Sequence, residues 1–449
     1  MVSVTVYEPD VLVANGVVTP RGRLAVDAAG RVVATPPGAA AIRLEGKALL
    51  PGLVNAHSHA FQRVIRGRAE HLARGKSADD FWSWRETMYA AATALDPDGV
   101  ELASRQAFVE MALAGVTAVG EFHYVHHQSD GTPYSDVHEL ARRVVKAARD
   151  VGLRIRLLRV AYARAGFQVA ANPRQRRFLD PDAATALERT ASLRRALQGD
   201  GLVSVGLAPH SVRAVPREWL EAFGASKEEV VHLHVAEQPA EIAACLTEHG
   251  RRPVELLADT GLLKRGTTLV HAIHLEDRER SLVGRSGAGV CACPTTEANL
   301  GDGVVAADAL LAEGVPLSLG SDSHATIGLL EEARRLEEHL RLVRGRRAVL
   351  DPGDGEPHGL SARLFDFASR GGARALGLPG GSLAVGDPAD FFTVALPPGL
   401  TAPLEAAVFG HAAVRDVAVE GRFLVRDGVH PLAAPTAIAF SQLVSRLQP

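Results

Sequence analysis

Eight short apolar runs rich in β-branched residues recur through the middle of the chain, at 48–59, 116–124, 154–163, 202–211, 229–238, 267–275, 287–297 and 315–324. Runs this continuous suit strands buried on both faces. Amphipathic helical patterns fall between or after them, over 97–114, 136–151, 182–197 and 331–343. Alternation of this kind predicts a parallel sheet. Eight units make a closed (β/α)8 TIM-like barrel the first choice and a doubly wound open sheet the second. The two ends read differently. Residues 1–50 break into short strands at Asn15-Gly16 and Ala29-Gly30, and the same texture returns after Gly381 with a turn at Glu420-Gly421. Chain ends commonly lie close together. Residues 1–50 and 382–449 are therefore assigned to one small β-sandwich domain, and 51–381 to the barrel.

Polar residues crowd the C-terminal ends of the eight runs: His57 and His59, Glu121 and His123, His210, His234 and Glu237, His271, Glu297, then Asp322 and His324. Strands end where polarity begins, but that alone does not explain why these positions hold mainly His, Asp and Glu. The active site of a barrel is built at this rim. Side chains at i and i+2 of a strand point the same way, so His57 and His59 can reach one cation. A mononuclear site needs about four protein ligands, and His234 and Asp322 are the best complements. His232 shares a face with His234 one layer deeper, which fits a core residue. Glu237, three residues past His234, suits a proton donor or acceptor. His271 suits a hydrogen bond to bound water or to a developing oxyanion.

Other features carry less chemistry. Cys291 and Cys293 read as small buried hydrophobes, and His126 and His127 as solvated loop residues. The segment Phe81–Arg85 reads as a helix face or a pocket wall. Gly371-Gly372 and Gly380-Gly381 read as loop and helix-end glycines, because neither pair begins a phosphate-binding fingerprint. No G-x-S-x-G element is present, which argues against a serine hydrolase.

Composition narrows the class. A net charge of −3 over 449 residues, with 47% hydrophobic and 22% charged residues, excludes a disordered chain and gives no nucleic-acid surface or polybasic anchor. Three cysteines, an odd number, suggest a reducing, cytoplasmic setting. The longest uncharged stretch, 428–445, holds Pro431 and Pro435 and does not read as a membrane span.

The run PGLVNAHSHAFQR, the strands HLHVAEQ and LVHAIHL and the GSDSH terminus resemble the amidohydrolase superfamily, in its deaminase-like branch. The stretches HSHAFQRVIRG, FWSWRETMY, GEFHYVHH, GLAPHSVRAV, HVAEQPAEI, CPTTEANLGDG and LGSDSHATI are similar to the formimidoylglutamate deiminases of bacterial histidine degradation. The resemblance spans residues 1–440. It implies one divalent ion, Zn2+, on His57, His59, His234 and Asp322, with Glu237, His271 and Asp322 catalytic. It places substrate contacts on Gln62, Arg85, Tyr124, His210 and Arg213. The implied substrate is a small dicarboxylate, and arginine suits carboxylates through its bidentate fork; as a solvated charge at a helix start, Arg213 would have no such role. Two-metal relatives bridge their ions with a carbamylated lysine near strand four. Only five of the 49 basic residues here are lysines, and none lies between Lys146 and Lys227, so one metal is expected. The resemblance implies neither nucleic acid nor membrane as partner and leaves the oligomeric state, a homodimer included, open. Two other readings stay in view: a purine- or nucleoside-type deaminase of the same superfamily, and a non-catalytic scaffold, which would have lost ligands.

Overall fold

The structure, a computed structural model, describes residues 3–70, 81–396 and 402–447. Five strands open the chain: β1 (Val4–Ala14), β2 (Val17–Pro20), β3 (Leu24–Asp27), β4 (Val32–Val33) and β5 (Ile42–Pro51). Eight follow at the predicted runs: β6 (Leu53–Ser58), β7 (Val116–His123), β8 (Arg154–Ala161), β9 (Val203–Pro209), β10 (Val231–Val235), β11 (Thr267–His271), β12 (Gly289–Ala292) and β13 (Leu317–Leu319). Three more close it: β14 (Phe391–Ala395), β15 (Val414–Val419) and β16 (Arg422–Val425).

Strands β6 to β13 pair in parallel, each beside its neighbour in the chain. Every position of β6 and β7 is buried, as the unbroken apolar runs require. A bridge between Ser58 and Asp322 links the first strand to the chain beyond the last. There the His59 N–H donates to the Asp322 carbonyl at 3.1 Å and the Asp322 N–H to the His57 carbonyl at 3.0 Å. The fold is a TIM barrel whose seam is held by the backbone of three predicted metal ligands. Helices at Pro97–Leu113, Glu139–Val151, Ala183–Ala196 and Leu329–Arg344 match the amphipathic patterns. Asp96 and Asp182 start two of them by accepting the Gly99 and Thr185 N–H at 2.7 Å each.

Strands from both ends of the chain form a second sheet in the order β16-β15-β14-β5-β1-β3-β4, with β2 on β1. The join is β5 against β14, one strand from each terminus. Asn15 (φ 49°) and Gly16 (φ 77°) make the first hairpin turn, and Glu420 (φ 49°) and Gly421 (φ 72°) the last. Both pairs have the two positive φ values of a type I′ turn.

The segment after Pro431 forms a helix, Ala433–Arg446, which accepts Pro435 because first-turn N–H groups have no intrahelical partner to lose. No helix among the described residues is long and apolar enough to cross a membrane. Gly371 and Gly372 lie inside helical backbone from Gly359 to Ala375, not at its end. A Cβ on Gly372 would overlap the Val54 carbonyl oxygen and sit 2.8 Å from the Val54 Cβ; on Gly371 it would overlap the Leu317 carbonyl oxygen. These glycines let the helix press on β6 and β13, the two sides of the seam. Gly372→Ala is expected to cost about 1–3 kcal/mol of stability by overpacking. Urea denaturation measures it, and an unchanged midpoint would show that the seam yields freely.

Candidate active site

The strand ends bring His57, His59, His234 and Asp322 together, with one donor atom from each within 4.8 Å of all the others. All four are buried. His57 Nε2 and His59 Nε2 are 3.1 Å apart, and Asp322 Oδ1 lies 3.4 and 3.0 Å from them. Two outer contacts set the tautomers. His59 Nδ1 donates to the Phe122 carbonyl at 3.2 Å and His234 Nδ1 to the His210 carbonyl at 2.9 Å, which leaves each Nε2 lone pair facing inward. Phe122 packs on the rings of His57, His59 and His234 at 4.9, 5.3 and 4.7 Å. Burial holds the His57 imidazole well below its ordinary pKa and brings His234 to about 3. Burial opposes charge on Asp322, but the adjoining His57 and His59 imidazoles keep its carboxyl well below the usual range. Three imidazoles and one carboxylate are the donor set for a single divalent cation. The residues present fit one.

Backbone strain collects here. Ala236, His271, Ala272, Asp322 and His324 all have positive φ, from 44° to 71°. Left-handed backbone at non-glycine residues is costly and clusters at functional sites. The sharp turn at each strand end aims the side chain across the rim.

His271 stands beside the cluster, its Nε2 buried with no hydrogen-bond partner among the described residues and 3.6 Å from both Glu237 Oε1 and Asp322 Oδ2. On its other side Nδ1 meets Glu297 Oε1 at 3.2 Å. Burial disfavours the imidazolium, but the carboxylates of Glu237, Glu297 and Asp322 outweigh it and raise His271 well above its ordinary pKa. Glu297 is thus a support that the sequence showed only as a strand-end acid. Its other anchor is the Cys293 N–H at 2.8 Å, the i to i+4 reach of a helix start. Ser58 and the Ala60 N–H are held by Glu121 at 2.6 and 2.8 Å behind the ligand pair.

A pocket opens over the cluster, lined by His59, His234, Glu237 and Asp322 and by all five residues expected to touch substrate, Gln62, Arg85, Tyr124, His210 and Arg213. Gln62 Nε2 donates to Tyr124 Oη at 2.8 Å, and Gln62 Oε1 has no partner among the described residues. Arg85 stacks over Trp82 and Tyr89, and Phe81 and Trp84 join the wall. Arg213 is no solvated charge. It is buried, and its Nη2 donates to Glu237 Oε2 at 2.7 Å.

His126 and His127 are not solvated either. Both are buried, paired through Nε2 with the Val160 and Leu179 carbonyls at 2.8 and 2.9 Å. The loop folds back on Arg177, whose carbonyl accepts both backbone N–H groups. His232 is a core residue, held by the Ala375 carbonyl at 2.8 Å. Cys291 and Cys293 are buried.

The amidohydrolase family profile matches residues 48–424, the span that carries every residue of this cluster. The chain belongs to the amidohydrolase family. Among curated members it is 42% identical to formimidoylglutamate deiminase of Pseudomonas aeruginosa, over 90% of each chain. It is 30% identical to the 5-methylthioadenosine/S-adenosylhomocysteine deaminase of Halobacterium salinarum, over 94% of this chain and 91% of that one. Among solved structures, an amidohydrolase from Brucella melitensis superposes with a TM-score of 0.90 at 36% identity, covering 99% of both chains. An adenosine deaminase from Xanthomonas campestris with bound zinc gives 0.80 at 25% identity, covering 99% of this chain and 98% of that one. This amidohydrolase is an enzyme, which leaves the non-catalytic scaffold without support.

Proposed function

We propose that this amidohydrolase hydrolyses N-formimidoyl-L-glutamate to N-formyl-L-glutamate and ammonia, as a zinc enzyme of histidine degradation working in the cytoplasm. The observation that carries the reading is that two arginines, Arg85 and Arg213, line the same pocket, each with a buried nitrogen, Arg85 Nε and Arg213 Nη1, that has no partner among the described residues. Buried unpaired donors are costly, and two carboxylates on a small substrate satisfy them. The 42% identity to a formimidoylglutamate deiminase supports the same substrate.

When bound, a divalent cation at His57, His59, His234 and Asp322 supplies Lewis-acid activation of water. The side chains do the rest. Asp322 takes the first proton on its carboxylate. His271 presents Nε2–H to negative charge developing at the formimidoyl carbon's substituents, with Glu297 holding its Nδ1. Glu237 carries a proton to the departing nitrogen. Gln62, Tyr124 and His210 orient the formimidoyl group and its neighbours, and the arginines hold the carboxylates.

A coupled ammonia assay on N-formimidoyl-L-glutamate beside a panel of adenosine, guanine and 5-methylthioadenosine tests the reading. Release from the dicarboxylate alone is expected, and release from a purine alone would replace this reading with a nucleobase deaminase. Arg85→Met is expected to raise KM about tenfold or more, since one charge-assisted pair is worth roughly 1.5–3 kcal/mol. An unchanged KM would remove Arg85 from the carboxylate site.

A further inference from the structure

The Arg213 side chain lines the pocket and is tied directly to the carboxylate proposed to carry the proton. Its Nη2 donates to Glu237 Oε2 at 2.7 Å, while its Nη1 is buried and has no partner among the described residues. Its Nε faces Glu241 Oε2 at 3.7 Å. Glu241 is already committed, because its two oxygens accept the Ala236 and Glu237 N–H groups at 3.0 and 3.3 Å. The Phe81 ring lies 5.3 Å from Arg213 Cζ, which leaves the guanidinium little room to swing away. One positive charge therefore serves Glu237 directly and has a single donor face left for an incoming acceptor.

We propose that Arg213 determines specificity by coupling carboxylate recognition to catalysis: a substrate carboxylate that takes Nη1 draws on the same guanidinium charge that restrains Glu237, and so frees Glu237 to carry the proton. This rests on the dicarboxylate reading above. With the pocket empty, burial raises the Glu237 carboxyl, but Arg213, then His271, pulls it below its ordinary range. A carboxylate held that way is a poor proton acceptor. A second carboxylate on the guanidinium weakens the hold when the right substrate is in place. In the step served, the water oxygen bonds to the formimidoyl carbon. Both water protons end on the departing nitrogen, the first by way of Asp322 and the second through Glu237. The C–N bond breaks with its electron pair leaving on that nitrogen as ammonia, and the water oxygen stays as the formyl carbonyl. Interactions spent this way raise kcat, so substrates lacking the remote group lose kcat as well as affinity.

The test uses the metal-loaded wild-type protein with N-formimidoyl-L-glutamate and its two truncated analogues, the formimidoyl derivatives of γ-aminobutyrate and α-aminobutyrate. One analogue, lacking the carboxylate that meets Nη1, is expected to lose about 100-fold in kcat at saturation. The other is expected to lose mainly through KM. The acid limb of the kcat profile is expected at higher pH for the full substrate than for the slow analogue. Arg213→Gln is expected to make kcat equal for the full and slow substrates. Turnover of the full substrate with both analogues matching its kcat would overturn the coupling alone. A kcat gap that persists in Arg213→Gln would do the same. Failure of all three formimidoyl compounds to release ammonia would overturn the substrate reading and the coupling with it. If Arg213→Gln does not fold, the wild-type analogue comparison decides by itself.

Discussion

Replacing Glu237 with glutamine is expected to lower kcat for N-formimidoyl-L-glutamate by about 10²–10⁴-fold, the usual worth of positioned acid–base catalysis, while bound metal stays near one equivalent. The residue is buried, and its carboxylate oxygens lie 2.7 Å from Arg213 Nη2 and 3.6 Å from His271 Nε2. A glutamine keeps the shape, and its carbonyl oxygen can still accept from Arg213. What it cannot do is pick up and deliver a proton. The ligand cluster is built from other residues, so metal content separates loss of chemistry from loss of the site. Elemental analysis of the purified variant beside the ammonia assay makes the distinction. Wild-type turnover would remove Glu237 from proton transfer, and lost metal would make its role structural.

Asp322→Asn is expected to be at least as damaging, for a different reason. Asp322 brings the one negative charge to a buried set whose other members are imidazoles. Removing that charge leaves a divalent cation with no anionic ligand among its buried donors. Even outer-sphere substitutions commonly cost 10–100-fold in metal affinity, so metal content after dialysis is expected to fall by more than about tenfold, and turnover with it. The barrel is expected to survive. The seam uses only the backbone of Asp322, and asparagine tolerates its φ of 44°. Full metal content in the variant would exclude Asp322 as a ligand.

The barrel was legible because its strands are buried on both faces, and that demands apolar runs no other arrangement needs so regularly. The meeting of His57 and His59 was legible for a related reason: side chains at a strand end must alternate, so the two share a face whatever else the fold does. The asparagine–glycine and glutamate–glycine turns announced themselves through their need for two positive φ values. What stayed hidden depends on contacts between distant segments. Nothing local to Arg213 says that it meets Glu237, 24 residues on. The same holds for Glu297, which reaches His271 across the rim, and for His126 and His127, whose burial comes from Arg177 folding over them. The terminal helix at Ala433–Arg446 was masked by Pro435, a residue that disrupts a helix anywhere but its first turn. The glycines at 371 and 372 look like a break and serve as a close contact.

The central claim is that one cation, held by His57, His59, His234 and Asp322, serves hydrolysis of a formimidoyl dicarboxylate. Titrating metal-free protein with zinc while measuring ammonia release from N-formimidoyl-L-glutamate tests it most directly. Turnover is expected to rise in proportion to zinc and to break sharply at one equivalent per chain. A break at two equivalents, or zinc binding with no ammonia released, would contradict it.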